Sequence, residues 1–523
     1  MVPRAEAIAK ALGRFGLRSL LSALLLGGLI ALGVYGYLQQ RLHGDIVTGL
    51  RTVGQGGSAW GLYIVLDIFF VGLAFGGIAL TAIVRLFHLS ELRGFSRMGL
   101  VLAIASISVA GLCVIADLGR PLHGLMNLPR YARTMSPFFG TFTLVICTGL
   151  LSSLVYLWLD GRADAAWCAR NAPRLRWFYR LWSFGFRGTP AERWRHAQAS
   201  FWLSLAMLPL VLISYSTLGF VFGIQGGRPG WFSAMQAPGF VVLAGCSSLG
   251  VLALIGALAR RAFGLEQELP DLAFRRIGNA MWVLTAVYLY LMIVEALTNR
   301  YASSATETKV SDAILWGRYG PLFWGSVVTM LVPSVVLFVL FLRRRTSIGL
   351  IVACGVLINV GAMMKRYLVV VPSQTHGTLL PYVTGSYAPT WVELAVAVGL
   401  GALAVLMCLV FARVFPIVPL DVSTPQRPAR GEREPAGRKA FRIVLAYGCV
   451  LAGLTLSAAG FLSSARAWTA PWEDPRIPLS PVLFAIGMMM VFYAAAVYET
   501  LPRTPAPDGA AQAGSERTPP VGG

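Results

Sequence analysis

The sequence has few charged residues and few of the residues that hold metals. Charged residues make up 13% of the 523 residues, against about 25% in soluble proteins, whereas hydrophobic residues make up 56%. It has five histidines and seven cysteines, and none of the cysteines forms a C-x-x-C pair. This composition excludes an ordinary soluble enzyme and gives no sign of disulfides or of an iron–sulfur cluster within the chain.

Long apolar runs account for the hydrophobic excess. Twelve of them are long enough to cross about 30 Å of hydrocarbon. The sequence therefore predicts an all-α, polytopic transmembrane helical bundle of about 12 spans. The predicted spans lie near residues 18–39, 59–87, 97–117, 137–159, 199–224, 239–260, 277–300, 319–342, 347–365, 389–412, 443–463 and 479–499.

The distribution of basic residues predicts the orientation of these spans. With the N-terminus inside, 31 of the 44 lysines and arginines fall in inner segments and 13 in outer segments. Because cytoplasmic loops collect basic residues, we expect both termini to be cytoplasmic, in a bacterial inner membrane. The net charge of +21 then needs no nucleic-acid partner.

The predicted organisation has a core and a C-terminal addition. The first span, which begins after a basic segment, is interpreted as a retained signal anchor. We expect a cytoplasmic N-terminus at 1–17, a transmembrane core at 18–417, a cytoplasmic linker at 418–442, two additional transmembrane helices at 443–501 and a disordered cytoplasmic tail at 502–523.

The longest inner loop, residues 160–198, is unusual in its composition. It carries eight arginines interleaved with four tryptophans. Such a loop could bind nucleic acid or a partner protein, but an interfacial stretch against anionic lipid is the favoured interpretation.

Polar residues in or beside the spans concentrate at the predicted outer face. Asp67 lies about 12 Å below that face, at 1.5 Å per residue. The inner halves are expected to hold little beyond end residues such as Arg85, His88 and Asn279. The outer set is drawn from five spans and consists of Asp67, Asp117 with Arg120 and His123, Glu295, Lys365 with Arg366 and Tyr367, and Glu393.

Most members of this outer set also have a structural interpretation. The stretch "ADLGRP" (116–121) reads as a helix stop. Glu393 could be an ordinary acidic residue in a first helical turn, Arg366 could snorkel, and Glu295 could pair with Arg300. Asp67 is harder to explain, because a carboxylate two turns inside a span needs a partner or a function.

The histidines argue against an intramembrane haem. A b-type haem needs axial ligands from facing helices, and none of the five histidines lies in the middle of a span. A pair of His88 and His196 at the inner side is conceivable but poorly placed. We therefore expect no haem and no metal in this chain.

Several ordered motifs resemble a known family. "WGLYIVLDIFFVGLAFGG", followed by "ADLGRPLHGLMNL" and "SPFFG", resembles the NrfD/polysulfide reductase family of quinone-reactive membrane subunits. Four downstream motifs resemble its ten-span branch, which includes membrane subunits of periplasmic uptake hydrogenases, of the dissimilatory sulfite-reductase-linked complex and of alternative complex III. These motifs are "IVEALTNRY", "GRYGPLFWG", "MKRYLVVVPSQ" and "YAPTWVELAVAVGLGALAVLMCLVFARVFPI". The resemblance covers 18–417, and the last two spans depart from the ten-span pattern.

The resemblance implies a haem-free subunit that exchanges electrons and protons with a quinone, menaquinone or ubiquinone. It implies a periplasmic, ferredoxin-like iron–sulfur partner, with further catalytic or cytochrome subunits. The proton-handling residues expected from depth and chemistry are Asp67, Asp117, His123, Glu295 and Glu393. The residues expected to bind the quinone are Asp67, Asp117, Arg120, His123, Arg366 and Tyr367.

Two other classes of function remain open on the residues. One is a secondary transporter or anion channel that uses the outer basic cluster. A lack of polar residues in the inner halves of the spans would argue against transport, since alternating access needs polar residues on both sides of the membrane. The other is a purely structural anchor, which would bind no quinone.

Overall fold

The computed structural model describes residues 12–13, 16–51, 58–132, 136, 139–172, 174–301, 304–376, 385–420, 435–465 and 476–501. Within these ranges every long element is helical, and no strand is present.

Twelve helices of the described residues are long and apolar enough to span a membrane. The predicted all-α, multi-pass bundle is therefore confirmed. In chain order they are α1 Leu17–His43, α2 Leu62–Leu86, α3 Arg93–Asp117, α4 Leu151–Asn171 (which continues a π-helical segment, Phe139–Leu150), α5 Pro190–Gly223, α6 Gln236–Phe263, α7 Asp271–Tyr301, α8 Gly320–Leu342, α9 Ile348–Val370, α10 Trp391–Val414, α11 Ala436–Ala465 and α12 Arg476–Thr500.

The inner ends of α4 and α5 are longer than predicted. α4 runs to Asn171 and α5 starts at Pro190, about a dozen and nine residues beyond the apolar runs. A capping box begins α5: the Thr189 hydroxyl accepts from the Glu192 backbone N–H at 3.3 Å, and Glu192 accepts from the Thr189 N–H at 3.4 Å. Polar helical extensions of this kind add nothing to hydropathy, so the apolar pattern did not indicate them.

The "ADLGRP" stretch ends one helix and begins another. α3 ends at Asp117, and a short helix, Pro121–Tyr131, follows after three residues. Proline is at the first position of that helix, where its fixed φ is suitable and its missing N–H is not needed. The helix-stop interpretation is therefore correct for this segment.

α2 is the central helix of the core and packs against α3, α5, α6 and α9. Its contact with α6 is close because of a glycine: a Cβ added to Gly76 would lie 2.3 Å from the Ser248 Cβ. α1 packs against α10 in a similar way, since a Cβ on Gly33 would lie 2.9 Å from the Gly399 Cα. Small residues permit such approach of helix backbones in membranes.

The last two helices form a hairpin that is joined to the core. α11 packs along α12, and α12 contacts α4, α5, the π-helical segment and the Pro121–Tyr131 helix. The Glu499 carboxylate near the end of α12 forms an ion pair with Arg162 of α4. We call the end of the bundle with Asp117 the outer end and the end with Asp160 the inner end, following the charge-based prediction.

Candidate functional site

The start of α2 is held by a buried carboxylate from α10. The Leu62 backbone N–H donates to Glu393 Oε1 and to the Tyr387 hydroxyl, each at 2.8 Å, and Tyr387 donates to Glu393 Oε1 at 2.8 Å. A carboxylate at a helix N-terminus is favoured by the unsatisfied N–H groups and the helix dipole. Burial and the nearby Glu393 raise the pKa of Tyr387, so that its hydroxyl stays a neutral donor. Glu393 is thus a cap for α2 as well as a first-turn residue of α10.

Asp117, the last residue of α3, is buried and interacts with the loop between α1 and α2. Its Oδ2 lies 3.7 Å from Arg51 Nη2, and Arg51 also forms an ion pair with Asp45. Gln40 donates to Asp45 Oδ1 at 3.0 Å and accepts from the Tyr63 hydroxyl at 2.9 Å. The positive charge beside Asp117 therefore comes from Arg51, which the sequence did not single out.

Arg120 and His123 are not part of this buried network. Both side chains are exposed, at the start of the Pro121–Tyr131 helix. Within the described residues neither side chain forms a hydrogen bond or ion pair with a buried carboxylate. The structure therefore brings Asp117 into the bundle but leaves its two predicted neighbours on the surface, at the start of the helix that follows.

Asp67 is buried in α2, one helical turn below Tyr63, with 4% of its surface exposed. No hydrogen bond or ion pair of its carboxylate is found among the described residues. Asp117 is close enough for the two carboxylates to interact electrostatically. A carboxylate in this position costs free energy unless it gains a partner or a proton. A structural ion pair therefore does not explain Asp67.

Arg366 of α9 points into the bundle. It is 2% exposed, donates to the Ser247 hydroxyl at 3.2 Å and lies over the Phe69 ring at 5.2 Å from its centroid. The alternative interpretation of Arg366 as a snorkelling residue is wrong, because a snorkelling head group reaches the membrane surface. A Cβ added to Gly72 of α2 would lie 3.0 Å from the guanidinium and 2.6 Å from the Tyr215 hydroxyl, so this glycine makes room for both groups.

Glu295 of α7 pairs with a residue from α9. Its Oε2 lies 2.8 Å from Lys365 Nζ, and its Oε1 accepts from Gln236 at 3.4 Å. The suggested pair with Arg300 is wrong, since Arg300 forms its ion pair with Asp312, at 3.1 Å. Sequence spacing along one helix could not reveal a partner on another helix.

Glu295, Lys365 and Arg366 line a narrow pocket in the outer half of the bundle. It lies between α2, α5, α6, α7 and α9, and its enclosed space is about 20 Å³. Tyr367 lies on the other side of α9, with its ring 6.1 Å from the Tyr387 ring. The pocket offers two cations, a carboxylate, two phenols and an amide to a ligand that has hydrogen-bonding oxygens. Its polar lining residues are Tyr215, Gln236, Tyr288, Glu295, Lys365 and Arg366.

The inner end holds a buried ionic network that the sequence did not reveal. Arg97 of α3 is 1% exposed and lies 2.6 Å from Asp160 Oδ2 and 2.7 Å from Asp164 Oδ2, both on α4. It also donates to two backbone carbonyls that follow α10, at 3.1 and 3.2 Å. Arg85 of α2 forms a second ion pair with Asp160. The expectation that the inner halves hold little is wrong, and it no longer weighs against transport.

Sequence reasoning missed several groups at the outer end as well. Tyr63 had a usable signal, because it lies four residues before Asp67 and therefore on the same helix face. The others lie in a loop or contribute from separate helices, and no spacing in the sequence connects them to Asp67. They are Gln40, Asp45, Arg51, Tyr215, Gln236 and Ser247.

Comparison with known proteins agrees with this architecture. Residues 53–377, more than half of the chain, match the family described as "Polysulphide reductase, NrfD". The chain belongs to this family. The matched part of this NrfD-family chain contains Asp67, Asp117, Glu295 and Arg366, whereas α10, α11 and α12 lie beyond it.

Three curated relatives cover most of the chain. It is 30% identical to a putative membrane subunit of the dimethyl sulfoxide reductase of Halobacterium salinarum, over 76% of this chain and 91% of that protein. It is 26% identical to the probable Ni/Fe-hydrogenase 2 b-type cytochrome subunit of Escherichia coli, over 72% and 88%. It is 24% identical to the Hdr-like menaquinol oxidoreductase integral membrane subunit of Archaeoglobus fulgidus, over 76% and 93%. The NrfD-family chain is a multi-pass membrane subunit of an oxidoreductase complex.

Proposed function

We propose that this chain exchanges electrons and protons between a membrane quinone, menaquinone or ubiquinone, and an iron–sulfur partner subunit at the outer end. One observation carries the proposal: Asp67 is buried with no hydrogen-bond or ion-pair partner among the described residues, and the next residue of α2, Ile68, lines the polar pocket together with Arg366 and Tyr215. Oxidation of a quinol releases two protons with two electrons, so the site needs buried groups that accept protons. The A. fulgidus relative, which is named as part of a menaquinol oxidoreductase, supports this substrate class.

Ligand entry requires the pocket to open. Its enclosed space of about 20 Å³ holds about one water molecule and is too small for a quinone ring. The Glu295–Lys365 pair lies at the pocket and is partly exposed, with side-chain exposures of 20% and 10%. We propose that separating these two side chains admits the head group, which Lys365 and Arg366 then orient through its oxygens.

The carboxylates would carry protons outward from the pocket. Asp67 lies nearest to the pocket-lining part of α2, and Asp117 lies closer to the outer end with Arg51 beside it. Deprotonated carboxylates at both positions can accept protons in sequence, and Arg366 and Arg51 can stabilise their charge. His123 and Arg120, being exposed, can act only at the outer exit of such a path.

Exposed apolar side chains at the outer end support a docking surface for the partner. Leu122 and Met126 on the Pro121–Tyr131 helix are 74% and 71% exposed, and Trp316 is 72% exposed. Apolar groups beside polar loops are typical of protein interfaces. Tyr387, by contrast, is buried and belongs to the Glu393 cap, so it is not part of this surface.

The absence of haem stays a prediction. The E. coli relative is named a b-type cytochrome subunit, so the haem content of this chain has to be measured. Within the described residues, no group of three His, Cys, Asp or Glu side chains is arranged to hold a metal ion. His196 directs its Nδ1 to the Glu499 carboxylate at 3.2 Å.

Substitution of Asp67 by asparagine tests the proposal. Asparagine keeps the shape of the side chain but cannot take up a proton in the relevant pH range. We expect quinone-linked electron transfer in the assembled complex to fall by about 10²-fold or more, the usual scale for a lost acid–base group. Activity of the partner subunits with an artificial dye should survive.

Two further variants make the result specific. Asp271→Asn removes an exposed carboxylate at the inner end, where it pairs with Arg260 at 2.6 Å, and should leave turnover unchanged. Glu393→Gln should instead reduce assembly, because it weakens the cap on α2. Near-normal quinone turnover in a fully assembled Asp67→Asn complex would exclude Asp67 from the reaction and leave Asp117, His123 and Glu295 as the remaining candidate proton carriers.

A further inference from the structure

A short helix, Arg176–Ser183, lies in the arginine-rich segment between α4 and α5. Two of its side chains fix it to the bundle. The Tyr179 hydroxyl donates to the Val414 carbonyl at 2.6 Å, and the Trp182 Nε1–H donates to the Trp158 carbonyl at 3.1 Å. The position of this helix, and the face that it turns away from the bundle, are therefore determined by its own sequence.

The partners of this helix place it at the level of the lipid head groups. Val414 is the last residue of α10, and Trp158 lies two residues before Asp160, where the apolar run of α4 ends. An apolar run of this kind ends at the boundary of the hydrocarbon, and the head-group layer beyond that boundary is about 5–8 Å thick. The chain that leaves α4 at Asn171 thus returns to the membrane boundary before it enters α5.

Side chains four residues apart give the helix three faces. The face that carries Tyr179 is buried against the bundle. A second face carries Trp177 and Leu181, which are 69% and 68% exposed. Beside it lie Arg176 and Arg180, both exposed. An exposed apolar face flanked by basic residues is typical of a helix that lies in the membrane interface.

The exposed arginines of this segment have no counter-charge in the part of the chain that the structure describes. The guanidinium groups of Arg174, Arg176 and Arg180 form neither ion pairs nor hydrogen bonds with the described residues. Basic residues next to a membrane are attracted to anionic lipids. The charge of the segment therefore selects an anionic membrane surface over a neutral one.

We propose that the Arg176–Ser183 helix binds anionic phospholipid. Trp177 and Leu181 contact the boundary of the hydrocarbon, and the neighbouring guanidinium groups donate charge-assisted hydrogen bonds to the lipid phosphates. A nucleic acid would match the arginines but not an exposed leucine at this depth. Lipid satisfies the apolar face and the basic face together.

A nitroxide attached at position 181 tests where the apolar face lies. In the Leu181→Cys chain, reconstituted in vesicles of phosphatidylglycerol and phosphatidylcholine, the label should collide more often with lipid-soluble oxygen than with a water-soluble nickel chelate. Asn171→Cys is the matched control and should show the opposite preference, because it is exposed and lies about 16 Å beyond Asp160 along α4, at 1.5 Å per residue. The chain without an introduced cysteine supplies the background from native cysteines. Equal nickel accessibility at both positions would place the face in water and overturn the proposal.

Thermal unfolding of the purified full-length chain, delipidated in detergent, tests the choice of ligand. Phosphatidylglycerol, phosphatidylcholine with the same acyl chains and a short DNA duplex are titrated separately. Phosphatidylglycerol should raise the Tm at concentrations about tenfold lower than phosphatidylcholine, since a ligand that binds the folded state stabilises it. Equal effects of the two lipids would overturn the proposal. Stabilisation by DNA without stabilisation by lipid would also overturn it and would indicate a nucleic-acid surface.

Two double variants test whether the effect belongs to this helix. Arg176→Gln with Arg180→Gln should weaken phosphatidylglycerol binding about tenfold or more, since each basic residue near an anionic surface adds to the attraction. Arg343→Gln with Arg345→Gln removes two exposed arginines from another inner loop and should change binding less than twofold. Similar losses in both would mean general attraction to the basic inner end and would refute a defined site.

Discussion

Replacement of Arg97 by methionine should cost more stability than any exposed charge substitution in this chain. The guanidinium is almost fully buried and holds Asp160, Asp164 and two carbonyls after α10. Breaking a buried ion pair by removing one partner costs about 3–5 kcal/mol, because the remaining charge is left buried. Asp160 keeps Arg85, and Asp164 keeps the Leu420 N–H at 3.1 Å, so we expect about 3 kcal/mol, the lower end of that range.

Thiol-reactive dye fluorescence on heating provides the assay. Cys168 is on the same helix as the two aspartates and is fully buried, so it reacts only when this region opens. For a chain of this size we expect Arg97→Met to lower the Tm by about 3 °C. The matched control is Arg276→Met, which removes a pair with Glu91 at 3.0 Å and side-chain exposures of 41% and 28%. Such an exposed pair contributes about 0–1 kcal/mol.

A second substitution tests whether the carboxylate left without its cation causes the loss of stability. In the Arg97→Met background, Asp164→Asn removes one of the carboxylates left without its cation, and part of the lost stability should return. In the native background the same Asp164→Asn change should be destabilising. The account of the inner network would be refuted if Arg97→Met unfolded at the temperature of Arg276→Met, or if Asp164→Asn acted equally in both backgrounds.

Three further predictions concern orientation, cofactor content and pH. A cysteine introduced at Tyr131 should be labelled in intact cells and one at Gly437 spared; the reverse pattern would invert the topology. The purified subunit reduced with dithionite should show no stoichiometric b-type α band in its absorbance spectrum. Burial lowers the pKa of His376 below its usual value of about 6.5. The stability that its neutral form contributes should therefore be present above pH 6.5 and decline as the pH falls below it. His376→Gln should flatten the dependence of Tm on pH in that window, and an unchanged slope would rule the histidine out.

The spans could be predicted from sequence because hydropathy reports directly on the cost of burying side chains in lipid. The ends of the helices could not be predicted from hydropathy. α4 and α5 continue into arginine-rich segments that a hydropathy pattern treats as loop, and they are helical because of a cap and because they pack on other helices.

The candidate site was predicted only in part, because a sequence pattern gives the depth of a residue along its span but not its partners on other helices. Depth along a span correctly singled out Asp67 as a buried carboxylate with no obvious structural role. The partners of Glu295 and Arg366 were out of reach, because they come from helices far away in sequence. Periodicity tells which face of a helix is apolar, but it does not tell which helix lies against that face.

The inner network was missed because its charges cancel only in three dimensions. Arg97 and Asp160 looked like ordinary end residues of separate spans, and each is expected to face water when considered alone. Their burial becomes tolerable once α3 and α4 meet and the carboxylate and guanidinium are paired.

The ion pair between Arg162 of α4 and Glu499 of the terminal hairpin limits how the residues at these two positions can change. Without α12, an arginine at 162 lies at the rim of the bundle near its inner end, where its long side chain can reach water or lipid phosphates at small cost. A carboxylate at 499 has no such freedom, because it enters the bundle together with the helix that carries it and is 5% exposed. An arginine at 162 is therefore tolerable without the hairpin, whereas the glutamate depends on the partners that it meets on α4 and α5, Arg162 and His196. Chains that carry the hairpin with an apolar residue at 162 should then also lack the acidic residue at 499.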